Sequence, residues 1–300
     1  MNNAPDCYVC GTQMQRRFDV ETNPLFQCKT CRIECLSPQP DDATLAQIYG
    51  KSYYDIYGAN DSLSETKRMK QRTFSHFIDM IGPRAPGSRL LDCGAGTGFL
   101  VDLAKHRGLD AYAVELSDYG AEQCRAIVGA DHVFRGELTE STFAANLEDR
   151  YDIITMIDVI EHVRDPRATL RWANSHLSPG GTLVIVTPKA GSLSHWLMGK
   201  RWAHYKVEHL WYFAPESIRR LLLECGFSVK RMRSTFKYLS LEYIRNISLA
   251  YHNPVVGVTS RALGRVLPRS VRKLPLPLFS GDMFIQASVL QTGLPPPRIG

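Results

Sequence analysis

No run of 18 or more apolar residues occurs in the 300-residue sequence, so no membrane-spanning helix is expected. The opening residues, Met1-Asn2-Asn3-Ala4-Pro5-Asp6, have neither the basic cluster nor the apolar core of a secretory leader. A cytoplasmic chain is expected. No internal repeat is present. Nor is there a strong excess of charge of one sign. The net charge of +6 permits an anionic substrate or a membrane surface but argues for neither. With 44% hydrophobic and 22% charged residues, the composition is that of a folded chain rather than a disordered one. Its length suffices for one large domain and a small accessory one.

Cysteine is present, and unevenly placed. Cys7, Cys10, Cys28 and Cys31 form two C-x-x-C pairs with 17 residues between them, and Cys35 follows. In a cytoplasmic chain this spacing reads as a metal site rather than a disulfide framework. Each pair can turn as a knuckle, and the four thiolates can converge on one tetrahedral ion. Residues 1–38 are therefore expected to form a zinc-ribbon-like module. Its small core would leave much of its folding energy to the ion. Structural Zn2+ is the default, and an iron site of rubredoxin type would use the same ligands. Cys35 reads as a spare buried thiol. Cys93, Cys124 and Cys225 stand in apolar or helical settings and read as core residues.

Residues 39–82 read as a helical segment. Asp41 and Asp42 can cap a short helix carrying Leu45, Ile48 and Tyr49; Tyr53, Tyr54 and Tyr57 follow. A longer helix opens at Ser62 or Ser64 and stops at Gly82-Pro83. From residue 83 to 290 strand and helix patterns alternate. Strands are expected at 89–93, 111–115, 132–135, 152–157, 182–187 and 282–290. Their apolar runs suit a parallel sheet covered on both faces, an α/β fold. Residues 190–212 and 238–280 break the rhythm and read as insertions able to act as lids. Residues 291–300 are Pro-rich and read as a flexible tail.

The most informative stretch is Leu90-Leu91-Asp92-Cys93-Gly94-Ala95-Gly96-Thr97-Gly98. It is a buried strand running into a glycine turn, through which backbone N–H groups can approach a ligand. A dinucleotide fingerprint would need glycine at 99, where Phe99 stands. In open α/β sheets ligands bind beyond the carboxyl ends of the strands. Those ends carry Asp92, Glu115, Gly136-Glu137-Leu138, Asp158-Val159-Ile160-Glu161-His162 and Thr187-Pro188-Lys189.

The hydrophobic-hydrophobic-Asp-x-Gly-x-Gly-x-Gly pattern resembles motif I of class I S-adenosylmethionine-dependent methyltransferases. Three further stretches resemble ubiquinone-type O-methyltransferases and methyltransferases of bacterial polysaccharide clusters. They are Asp158-Val-Ile-Glu-His162-Val-Arg-Asp-Pro166, Glu208-His209-Leu-Trp-Tyr-Phe213, and the cysteine module followed by Tyr49 and Tyr53-Tyr54. The resemblance runs from Cys7 to about Leu290. It implies a Rossmann-like, seven-stranded, mostly parallel sheet that binds S-adenosylmethionine. It also implies that Asp92, Gly94, Gly96 and Gly98 surround the methionine moiety and that Glu115 holds the ribose. Glu137 and Leu138 would flank the adenine, and Asp158 would lie beside the methionine.

Methyl transfer needs alignment and removal of a proton from the acceptor. His209 and His162 are the candidate bases, since imidazole titrates near neutrality. Asp158, Glu161 and His162 could instead hold a metal beside a catechol-like acceptor, provided the turn after the fourth strand is helical; an acid-rich helix start is the plainer reading. Trp196, Trp202, Tyr205, Trp211 and Tyr212 are suited to stacking on a sugar or aromatic ring. The acceptor expected is a hydroxyl of a small molecule or glycan, with an amino sugar or other amine as the alternative. The Trp/Lys/Arg-rich insertion at 195–206 and the basic stretch 261–279 also allow peripheral membrane contact and a lipid-linked acceptor. Nucleic acid is a weaker expectation. Residues 1–38 hold only Arg16, Arg17, Lys29 and Arg32 as cations, and neither an Asn-Pro-Pro-aromatic motif nor a Pro-Cys nucleophile stands where it would be needed. A non-catalytic scaffold would more readily have lost the glycines or Glu115, and both are intact.

Overall fold

A computed structural model describes residues 4–48, 63–137, 150–250 and 254–290. Its central sheet has seven strands: β4 (Arg89–Cys93), β5 (Asp110–Glu115), β6 (Val133–Arg135), β7 (Tyr151–Ile157), β8 (Leu177–Pro188), β10 (Phe227–Leu239) and β11 (Leu276–Val289). Their order is β10-β11-β8-β7-β4-β5-β6. β6, β5, β4, β7 and β8 run parallel, and β11 lies antiparallel between β8 and β10.

Strand alternation sorts the apolar residues onto two faces. Leu90, Ile153, Val184, Val186 and Phe284 pack beneath α2 (Leu63–Ile81), α3 (Phe99–His106) and α4 (Asp118–Val128). Leu91, Cys93, Ile154, Met156, Leu183 and Ile185 face the other way, toward α5 (Pro166–His176) and α7 (Pro215–Glu224). The helix starts are encoded locally. Ser117 caps α4 by accepting from the Gly120 N–H, and Asp165 caps α5 by accepting from the Ala168 N–H at 3.0 Å with Pro166 next in the chain.

The cysteine module is more structured, and less separate, than its sequence implies. It holds β1 (Gln15–Val20), β2 (Asn23–Gln27) and β3 (Glu34–Leu36), which form an antiparallel sheet completed by β9 (Trp211–Tyr212) from the insertion at 190–212. Glu34 lies opposite Tyr212 and Cys35 opposite Trp211. Val9, Met14, Phe26 and Ile33 join the same core as Leu170, Trp211 and Ile218. Tyr8 sits between the Arg167 guanidinium, 4.4 Å from its ring, and Trp211, 4.7 Å away.

β10 is a strand the sequence reading lacks, and the late strand begins at Leu276 rather than 282. The stretch 238–280 holds α8 (Leu241–Ala250), α9 (Pro254–Val266) and α10 (Arg269–Arg272). The insertion at 190–212 opens with α6 (Leu193–Met198). Tyr49, Tyr53, Tyr54, Tyr57, Leu138 and residues 291–300 lie outside the described residues. Among the described residues no helix is long and apolar enough to cross a membrane.

Candidate active site

The glycine turn follows the central strand. Gly94, Gly96 and Gly98 have φ of 72°, 55° and 81°, a region where side chains are strained. A Cβ on Gly94 would lie 2.5 Å from Val159, and one on Gly98 would lie 2.6 Å from the Cys124 sulfur and 3.2 Å from its Cα. Around Gly96 a Cβ would meet nothing within 4 Å, so this side of the turn faces open space. Glu115, at the end of β5, braces the turn. Its carboxylate accepts from the Gly96 N–H at 2.7 Å and from the Ser117 N–H at 2.9 Å. Thr97 Oγ1 is buried without a hydrogen-bond partner. An open backbone cradle with an orphaned hydroxyl is what a polar ligand such as S-adenosylmethionine would complete.

Asp92 is buried at the end of β4 and accepts from Thr155 Oγ1 at 2.6 Å. Burial, reinforced by Glu115, pushes its carboxyl up to about 7. Glu137 is exposed after β6. Asp158 has φ of 55°, and Lys237 donates to both its oxygens at 2.8 and 2.9 Å. Lys237 also reaches Asp282 at 3.2 Å, and the two carboxylates hold the ammonium above the ordinary lysine range despite its burial.

The turn after β7 is not helical; the His162 N–H closes it on the Val159 carbonyl at 2.9 Å. Asp158 therefore turns to Lys237, and Glu161 and His162 meet His209 instead. One ligating atom from each of Glu161, His162 and His209 lies within 4.8 Å of the others. The two imidazoles are edge to face, 4.6 Å apart. Backbone bonds fix this meeting, since the Leu210 and Trp211 N–H groups both donate to the Glu161 carbonyl. Glu161 accepts from Thr187 through one oxygen and leaves Oε1 buried and unpartnered; His209 Nδ1 is likewise unpartnered. Burial and then Asp158 raise Glu161 to about 8. Burial, with His162 and Lys206 adding, holds His209 well below the usual histidine range, so it is neutral at pH 7. His162 is lowered too, by burial, and its Nδ1 lies 2.9 Å from the Glu208 carbonyl.

The aromatic residues of the 190–212 insertion are mostly structural. Trp202 and Tyr212 are buried, Trp211 donates its indole N–H to the Val163 carbonyl, and the Tyr212 hydroxyl bonds the Lys206 backbone. Trp196, 76% exposed, stands apart with Leu193 and Leu197. Stacking against an acceptor inside the site is therefore not available to the three buried rings.

The four cysteines form a separate centre. Their sulfurs lie within 4.8 Å of one another, with Cys7–Cys31 at 3.5 Å and Cys10–Cys28 at 3.4 Å. A tetrahedron with Zn–S bonds of about 2.3 Å has sulfur–sulfur edges of about 3.8 Å, so the set fits one ion. The knuckles match each other: the Gly11 N–H returns to the Cys7 carbonyl and the Arg32 N–H to the Cys28 carbonyl, with positive φ at Gly11 and Arg32. The Cys7–Cys31 contact lowers the Cys7 thiol and raises that of Cys31, as two thiols sharing one proton do. Cys35 is buried against Met14 and belongs to the core.

Sequence reasoning missed Lys237, Asp282 and Thr97. Thr97 stands within the glycine turn, but nothing local marks the other two: Lys237 meets Asp158 across 79 positions and Asp282 across 45.

A seven-stranded sheet in this order, with a glycine turn after the central strand, has the class I S-adenosylmethionine-dependent methyltransferase fold. Sequence comparison agrees: residues 66–231, more than half of the chain, match the family described as methyltransferase domain, and the chain belongs to that family. A ubiquinone biosynthesis O-methyltransferase of Aeromonas salmonicida (strain A449) is 25% identical over 155 residues, 49% of this chain and 65% of that protein. Its counterpart in Xanthomonas campestris pv. campestris (strain B100) is 31% identical over 114 residues, 37% of this chain and 48% of that one. The match thus spans less than two thirds of either relative. Among solved structures, the magnesium protoporphyrin IX methyltransferase of Synechocystis PCC 6803, with bound SAH, superposes with a TM-score of 0.52 at 16% identity. That match covers 84% of this chain and all of the other.

Proposed function

We propose that this chain transfers the methyl group of S-adenosylmethionine to a hydroxyl of a small molecule or glycan, with His209 as the base. The observation that carries this reading is the unpartnered Nδ1 of His209 beside His162, which stands on a turn whose Val159 packs against Gly94.

S-adenosylmethionine, when bound, supplies a methyl group on a positively charged sulfur. Gly94, Gly96 and Gly98 bracket its methionine part, with Asp92 supporting the turn from below and Asp158 alongside. Glu115 exchanges a backbone partner for the ribose hydroxyls. Glu137 would flank the adenine. With that methyl donor bound, His209 Nδ1 would take the proton from the acceptor hydroxyl as its oxygen accepts the methyl group in exchange for the sulfur. His162, edge-on at 4.6 Å, fixes the plane of the His209 ring. Alignment of this kind is worth roughly 7–11 kcal/mol, and a positioned base roughly 10²–10⁴-fold. Cys7, Cys10, Cys28 and Cys31 hold Zn2+ in a structural role. An amine acceptor would use the same cradle, and a lipid-linked acceptor would suit the exposed Leu193, Trp196 and Leu197.

His209→Ala is expected to lower turnover about 100-fold or more while SAH affinity stays within twofold, read by methyl transfer and calorimetry. Turnover within a few fold of wild type would remove His209 as the base. A second reading is favoured by the orphaned Glu161 Oε1: a divalent cation held by Glu161, His162 and His209, lowering the acceptor hydroxyl's affinity for its proton. Loss of activity on mild chelation, with recovery on adding Mn2+ or Mg2+ while the cysteine-bound metal is retained, would select it.

A further inference from the structure

Glu34 belongs to the cysteine module, yet it is fully buried against the insertion that carries His209. Four groups from three separate segments meet its carboxylate. The Tyr205 hydroxyl donates to Oε2 at 2.6 Å, Gln27 donates to Oε1 at 2.9 Å, Arg17 pairs with it, and His195 lies 3.7 Å away. The hydrogen bonds also fix the histidine tautomer. His195 Nδ1 accepts from the Gly191 N–H at 3.1 Å, so Nε2 carries the proton and donates to the Tyr205 oxygen at 2.8 Å. Tyr205, Gln27 and Arg17 all donate to it, and the carboxylate stays ionised although burial opposes it.

The network continues toward the site. Tyr205 packs edge-on against Tyr212 at 5.0 Å. The Tyr212 hydroxyl accepts from the Lys206 N–H at 3.2 Å and donates to the Lys206 carbonyl at 2.9 Å. The same carbonyl accepts from the His209 N–H at 3.2 Å. The loop 202–210 is thus tied at one end to Glu34 and at the other to Glu161. An apolar contact would hold two surfaces together without fixing direction. A buried carboxylate bonded to three donors restricts the arrangement of the surfaces it joins more than an apolar contact does.

We propose that Glu34 is a positioning residue for the acceptor side of the active site: through Tyr205 it fixes the loop that presents His209, which makes the cysteine module part of the active-site frame. The proposal rests on reading that loop as the acceptor-side wall, but its test needs no acceptor.

The test is hydrogen exchange of the full-length, metal-loaded protein, comparing wild type, Glu34→Gln and Tyr205→Phe. Tyr205→Phe removes one hydroxyl and guards against a folding defect in the Glu34 variant. Expected is exchange at least tenfold faster at the Lys206 and His209 amides in both variants. Amides of β7, metal content and SAH affinity stay within twofold. Exchange at 202–210 within twofold of wild type in Tyr205→Phe would overturn the proposal. So would equal acceleration across β4 and β7, which marks general destabilisation. Failure of wild type to bind SAH would instead count against the methyltransferase reading and leave the exchange comparison intact.

Discussion

At the scale of single residues, the site combines carboxylates that burial keeps near neutrality with an imidazole that burial keeps uncharged. Asp92 is the clearest case. Its carboxyl titrates near 7 when folded, against about 3.9 in an unfolded chain. The native state holds the proton more tightly, so this group's contribution to stability is full below about pH 4 and is lost as pH rises through 7. Asp92→Asn keeps an acceptor for Thr155 and removes the titration. It is expected to be more stable than wild type at pH 8 by on the order of a few kcal/mol and to lose that advantage near pH 4, as read by urea unfolding at both pH values. The glycine turn and Glu115 were legible in the sequence because strand, turn and next strand are neighbours in the chain, from Arg89 to Glu115. The pairing of Asp158 with Lys237 was not. It depends on β10 crossing next to β11, which no local pattern reports. His209 and His162 were legible as candidates, but their meeting with Glu161, rather than with Asp158, follows from two backbone bonds to the Glu161 carbonyl.

Among the elements, the parallel strands were readable because they are buried on both faces and run nearly continuously apolar, as in Ile153–Ile157. β10, with Lys230, Arg231, Arg233 and Lys237 along its length, lies at the sheet edge and gives no such signal. In the cysteine module β1 is mostly exposed, β2 buries adjacent Leu25 and Phe26, β3 has three residues and β9 two, so none shows a clear alternation. The insertion aromatics were legible as a group, but not their direction. Trp202, Trp211 and Tyr212 turn inward because β9 pairs with β3. That pairing yields a prediction. Removing the proposed Zn2+, or Cys28→Ser, is expected to lower the melting temperature by about 10 °C or more in a single transition. Two separated transitions in calorimetry would show that the module unfolds on its own, against the shared core of Phe26, Ile33 and Trp211.

For the whole molecule, one core runs from the cysteine knuckles through α5 and α7 to one face of the sheet, while α2, α3 and α4 close the other. The ligand turn and the histidine pair both stand at the carboxyl edge of that sheet, the edge open α/β proteins use for ligands. The fold was legible from strand rhythm and a single turn. The acceptor was not, because part of the wall proposed to face it comes from an insertion without a repeating pattern. The most direct test of the account is transfer of label from S-adenosylmethionine to an extract of the source organism, separated into organic, aqueous and macromolecular fractions, with wild type and His209→Ala in parallel. Label in the organic or aqueous small-molecule fraction, lost about 100-fold or more in the variant, is the result expected. Label only in nuclease-sensitive polymer, or equal label from both proteins, would contradict it.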